Sequence, residues 1–116
     1  MFIGEYQHTL DPKGRLAIPV KFRPALKSGA IITRGLDNCL FLFTREQWDG
    51  LTRKLASLPL SQANSRAFAR LMLAGAMEVG LDGQGRILIP GYLREYANLG
   101  GGVIIAGLMT RAEIWN

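Results

Sequence analysis

Leu10-Asp11-Pro12-Lys13-Gly14-Arg15-Leu16-Ala17-Ile18-Pro19 returns later in the chain as Leu81-Asp82-Gly83-Gln84-Gly85-Arg86-Ile87-Leu88-Ile89-Pro90. In both copies an Asp opens a tight turn, Pro or Gly follows, a Gly precedes an Arg, and an apolar β-forming run ends at a Pro. Asp can bond its own backbone, Pro presets φ, and Gly admits positive φ, so each copy reads as a turn leading into a short strand. Two copies in one short chain indicate internal duplication.

With Asp11 set on Asp82 the match runs outward in both directions. Gly4 falls on Gly75, Phe22-Arg23 on Leu93-Arg94 and Gly29 on Gly100. With small shifts, Ile31-Ile32 falls on Ile104-Ile105, Gly35-Leu36 on Gly107-Leu108, and Leu42-Phe43 on Ile114-Trp115. Residues 4–43 and 75–115 are therefore two versions of one unit. Within it, Glu5–Leu10 alternates as a strand does, Leu16–Ile18 is a second strand, and Pro19 suits the first turn of a short helix. Strands at 30–33 and 40–43 flank a Gly35/Asp37-Asn38 turn. In the second unit the short helix runs from Pro90 to Ala97, with the glycines 100–102 as its stop.

The segment between the units has helical rhythm. Thr44-Arg45-Glu46-Gln47 is a capping-box pattern. Trp48, Leu51, Leu55 and Leu58 then share one face, and Pro59 ends the helix. A second helix is expected from about Ser61 to Leu73, burying Ala63, Ala67, Phe68, Leu71 and Met72. A unit of four short strands buries little apolar surface alone, so the two units should pair about a pseudo-two-fold axis.

The bulk composition sets bounds on class. The 116 residues are 48% hydrophobic and 20% charged, with a formal net charge of +5, which describes one folded domain with a polyanion partner among its options. The one cysteine, Cys39, allows no internal disulfide and reads as a buried small hydrophobe. With His8 the sole histidine, no metal site is expected. No run approaches a membrane span and the start does not read as a signal peptide, so the expectation is a soluble cytoplasmic protein with no membrane partner. No catalytic triad, acid pair or nucleotide loop is visible; Gly80-x-x-Gly83-x-Gly85 has the wrong spacing for a dinucleotide fingerprint. No catalytic residues, cofactor or small-molecule substrate are expected.

The candidate site is thus the doubled Asp-x-x-x-Arg. An Asp that pairs with its own Arg stiffens the turn, and an Arg held still is ready to grip phosphate or the guanine edge. Basic residues gather near the first turn, namely Lys13, Arg15, Lys21, Arg23 and Lys27, with Arg34 further on. Near the second only Arg86 and Arg94 remain, and Gln84 replaces Lys13.

These residues closely resemble the MraZ family of bacterial regulators, within the AbrB-like swapped-hairpin DNA-binding proteins. The likeness rests on Met1–Tyr6, His8–Arg15, Ile18-Pro19 and Asp82–Pro90, and spans essentially the whole chain. It implies an α+β chain, mainly β with helices: a duplicated AbrB-like swapped-hairpin β-barrel with a helical hairpin between the repeats. The expected layout is a single domain over 1–116, with repeat 1 at 4–47, a helical linker at 48–74 and repeat 2 at 75–116. The resemblance further implies a non-enzymatic, sequence-specific transcriptional regulator of the division and cell-wall gene cluster. Such a protein is nucleoid-associated, represses, and assembles into a ring that meets short direct repeats in double-stranded promoter DNA. DNA contact is carried to Arg15 and Lys13, then Arg86, with Lys21 and Arg23 beside them, while Asp11, Gly14, Asp82 and Gly85 shape the turns. A helix after the second unit is also implied, and the sequence ends at Asn116. Two rivals remain: an antitoxin-like protein-interaction module of the same fold, and a small enzyme using His8 with an acid.

Overall fold

The computed structural model describes residues 1–116. Eight strands and four α-helices follow in the order β1 (Phe2–Thr9), β2 (Arg15–Ala17), α1 (Arg23–Leu26), β3 (Ala30–Arg34), β4 (Leu40–Thr44), α2 (Arg45–Ala56), α3 (Ala63–Ala74), β5 (Met77–Val79), β6 (Arg86–Leu88), α4 (Gly91–Tyr96), β7 (Gly102–Met109) and β8 (Ala112–Trp115). A 3-10 turn, Val20–Phe22, leads into α1 with Pro19 as its cap.

The two units exchange strands. β1 of the first unit pairs along its length with β7 of the second, Phe2 facing Met109 and Thr9 facing Gly102. Reciprocally, β5 of the second unit pairs with β3 of the first, Ile32 facing Met77. The six-stranded antiparallel sheet reads β1-β7-β8-β4-β3-β5, which is symmetric about its middle. β2 and β6 form a ladder with each other, Leu16 opposite Ile87, and those two residues are equivalent in the repeat. The pseudo-two-fold axis therefore passes through that pair, and through Phe41 opposite Glu113 where β4 meets β8.

The barrel expectation needs correction, because the sheet does not close. β1 and β5 are free edges, and β2–β6 is a separate two-stranded ribbon joined to β1 by the single bridge Leu10–Leu16. Pro19 and Pro90, just beyond the ends of β2 and β6, lack the N–H that would carry a ladder further. The ribbon covers one face of the sheet. Leu16, Ile18, Phe22, Leu26, Ile87, Ile89 and Leu93 join Ile32, Leu40, Leu42, Ile105 and Ile114 in a core shared by both units.

The helical hairpin covers the opposite face with a smaller core of Cys39, Phe41, Phe43, Leu55 and Met72, edged by Trp48, Leu51, Leu58, Phe68 and Trp115. The capping box forms as expected: the Gln47 backbone N–H donates to Thr44 Oγ1, and the Thr44 N–H to Gln47 Oε1, both at 3.1 Å. The α3 stripe departs from expectation. Ala63 and Ala67 stay exposed, Leu71 is half-buried, and Phe68 and Met72 carry the contact with the sheet side. A methyl group adds little to burial, so the larger side chains set the helix rotation. α4 ends before the glycine run, because Asn98 adopts φ 53 and supplies the left-handed stop itself. Asp37 and Asn38, with φ 60 and 61, make the tight β3–β4 turn.

Candidate nucleic-acid interface

Each Asp-x-x-x-Arg turn is built the same way. The Asp11 N–H donates to the Arg15 carbonyl at 3.0 Å and the Gly14 N–H to the Asp11 carbonyl at 2.9 Å; the Asp82–Arg86 and Gly85–Asp82 bonds repeat this at 2.9 and 3.0 Å. Gly14 and Gly85 take φ +86 and +73, where a β-carbon is strained.

The aspartate then ties the arginine down. Asp11 Oδ1 accepts from the Lys13 and Arg15 backbone N–H groups at 3.0 and 2.8 Å, and Oδ2 from Arg15 Nε at 2.6 Å. Asp82 Oδ1 accepts from the Gln84 and Arg86 N–H groups at 2.8 and 2.9 Å, and Oδ2 from Arg86 Nε at 2.9 Å. The Arg15 backbone N–H, then its side chain, holds the Asp11 carboxyl below its ordinary value of 3.8 against an opposing desolvation effect. The Arg86 N–H, with Gln84 and the Arg86 side chain, does the same for Asp82. Both carboxylates thus stay ionised and accept their hydrogen bonds from their own turns.

The guanidinium groups are neither sunk nor loose. The Arg15 side chain is 34% exposed and Arg86 27%, enough for a ligand to reach the Nη edge. Only Nε of Arg15 is hydrogen-bonded, which leaves both of its Nη groups free. Arg86 also reaches across, with Nη1 3.9 Å from Asp11 Oδ2. The antiparallel β2–β6 pair, Arg15 opposite Leu88 and Ala17 opposite Arg86, sets the two turns at opposite ends of a three-residue ribbon, with Arg15 and Arg86 on its same face.

The other expected residues sort by position. Lys13 on the first turn and Lys21 on the 3-10 turn are exposed. Arg23 is half-buried and donates Nε to the Ile18 carbonyl at 2.8 Å. Its equivalent Arg94, to which the family resemblance carries no DNA contact, does the same to the Ile89 carbonyl at 3.0 Å. The signal that finds Arg94 is the repeat alignment, which sets it on Arg23. Arg34 stands apart from the turns, its Cζ 5.7 and 5.9 Å from the ring centroids of Tyr92 and Tyr96. His8 lies on β1 opposite Val103, in a shallow cleft lined by Gln7, Thr9, Gly102, Val103, Ile104 and Asn116, with no Asp or Glu side chain among them.

A strand-exchanged α+β repeat pair, with an Asp-locked arginine turn at each end of a short ribbon, defines the AbrB-like swapped-hairpin class. Comparison with known proteins narrows this. The family model described as "MraZ protein, putative antitoxin-like" matches residues 1–71 and again 72–116, so the chain belongs to the MraZ family. It is 53% identical over 116 residues to the "Transcriptional regulator MraZ" of Moorella thermoacetica, covering 100% of this chain and 81% of that one. Proteins of the same name from a Roseiflexus species and Acetivibrio thermocellus are 54% and 55% identical, over 99% and 100% of this chain and 80% and 81% of theirs. No helix is long and apolar enough to cross a membrane.

Proposed function

We propose that the chain is a sequence-specific DNA-binding transcriptional regulator, gripping duplex DNA with Arg15 and Lys13 foremost and Arg86 second. The name its relatives bear, transcriptional regulator, supports the general role. The observation that carries the reading is the posture of Arg15. Its backbone N–H and Nε are both occupied by Asp11, and both Nη groups remain free on an outward turn. A guanidinium fixed in that way offers a planar donor pair to guanine O6/N7 or to a phosphate. Exposed Lys13 and Lys21 supply phosphate contacts, and each neutralised phosphate releases condensed counterions.

On this reading, residues 4–47 and 75–116 are the two recognition repeats, joined by 48–74. The protein works in the cytoplasm at the nucleoid. One protomer's contact is small, so useful affinity comes from several protomers in a ring meeting short direct repeats. The target is the promoter of the division and cell-wall gene cluster, and the outcome is repression. Gel shifts against DNA upstream of the protein's own gene test this. Wild type should shift that fragment and Arg15→Ala should not; equal affinity of the two refutes the assignment.

A second reading, an antitoxin-like protein-interaction module, draws on the family model's own wording. Recovery of one stoichiometric protein partner, with no DNA, in a pull-down would favour it.

A further inference from the structure

Arg23 and Arg94 occupy equivalent places on α1 and α4, and each reaches into the other unit. The Arg94 guanidinium lies across Gly14, its Cζ 2.9 Å from where a β-carbon on that glycine would stand. The Arg23 guanidinium lies across Gly85, closer still. Each is anchored from behind by Nε on a carbonyl five residues earlier, Ile89 for Arg94 and Ile18 for Arg23. Beside them the backbones cross as well: the Ile18 N–H donates to the Gly85 carbonyl and the Ile89 N–H to the Gly14 carbonyl, both at 2.9 Å. The two turn glycines therefore serve twice, giving the turn its positive φ and leaving the flat seat on which a guanidinium from the opposite repeat rests.

We propose that Arg94 and Arg23 are positioning residues for DNA recognition, each clamping the Asp-x-x-x-Arg turn of the other repeat. The inference rests on the proposal that these turns meet DNA. It moves Arg23 from a direct contact to a support, and it makes the first turn, which bears Lys13 and Arg15, depend on a residue of the second unit. A phosphate contact needs only a positive charge at the right distance. A clamp needs the planar guanidinium with its Nε, which lysine cannot supply.

The test uses Arg94→Ala and Arg94→Lys in the full chain, with two readouts. The first is amide hydrogen exchange without DNA. The Lys13, Arg15 and Ile89 amides, held by Asp11 and Gly14, should exchange at least about ten-fold faster in both variants, while Gln84, Arg86 and the β4 amides keep their rates. The second is affinity for the upstream DNA, which should fall at least about ten-fold in both variants, lysine doing no better than alanine. Unchanged exchange at the first turn overturns the clamp, as does restoration of affinity by lysine. Faster exchange with undiminished affinity overturns the positioning role. Should wild type fail to bind the DNA, the site assignment falls while the exchange data still decide the clamp. If the alanine variant does not fold, the lysine variant carries both readouts.

Discussion

Asp11 Oδ2 stands 2.6 Å from Arg15 Nε and 3.9 Å from Arg86 Nη1, so one carboxylate answers two arginines from two repeats. Asp82 is paired with Arg86 alone. The nominally equal turns are therefore unequal in charge balance. Asp11→Asn should lower the thermal midpoint more than Asp82→Asn, because it weakens the hold on Arg15 and also removes the second carboxylate facing Arg86, which stays bonded to Asp82. Calorimetry of the two variants checks the order, and an equal or reversed order contradicts it.

Arg15→Ala should weaken operator binding by at least about ten-fold, the loss expected for one good bidentate contact, with the circular dichroism unchanged. Arg86→Ala should lose less, since Gln84 leaves its turn without the companion lysine. Lys13→Ala should weaken binding to all sequences alike and reduce the slope of log K against log salt by about 0.9. Titrations at several salt concentrations separate these behaviours.

The depressed carboxyls of Asp11 and Asp82 make stability depend on acid in a definite direction. Between the folded-state value and the ordinary 3.8, the unfolded chain binds protons that the folded chain refuses, so stability rises with pH. The contribution is complete above 3.8 and is lost as pH falls through the folded-state values below it. Thermal midpoints of wild type and Asp11→Asn should converge on acidification below that point. Parallel curves would contradict the linkage.

Cys39 is fully buried, and desolvation, followed by the charge of Glu113, pushes its thiol up to about 12. Its Sγ donates to the Leu36 carbonyl at 3.2 Å. Native protein should resist alkylation at mildly alkaline pH, and labelling should follow the unfolding transition in denaturant. Rapid labelling of folded protein would show the outer core to be open.

Leu55→Ala, in the smaller core under the helical hairpin, should cost about 2–5 kcal/mol without altering the affinity of the folded fraction. Leu55 is only 5% exposed and lies in the cluster on the sheet face opposite the ribbon that bears the turns. Denaturant melts and gel shifts on the same preparation check both halves of the statement.

What the chain order reveals, and what it hides, follows from the range of the forces involved. The turns, the capping box and the Asp37-Asn38 reversal are legible because each is a local bargain among a few neighbouring residues. The choice of β7 as the partner of β1 is not local; it depends on burying Phe2 with Phe22 and Ile105 from distant parts of the chain, and reaches the reader only through family resemblance. The open sheet is missed for the same reason. Arg94 is visible as the counterpart of Arg23, but nothing nearby in sequence announces that its seat is Gly14. Ala63 and Ala67 fit a helical stripe by spacing, yet spacing does not weigh side-chain size. Asn98 is overlooked beside three glycines, although asparagine tolerates the left-handed conformation well.

The exchange of β1 and β5 has a consequence for history as much as for folding. Neither half could be cut away and survive, since each would lose the neighbour that completes its hydrogen bonding. Two separate copies would assemble only at sufficient concentration and would be obliged to stay identical. Tethered by α2 and α3, the halves remain together at any dilution and are free to specialise, as Lys13 against Gln84 already records.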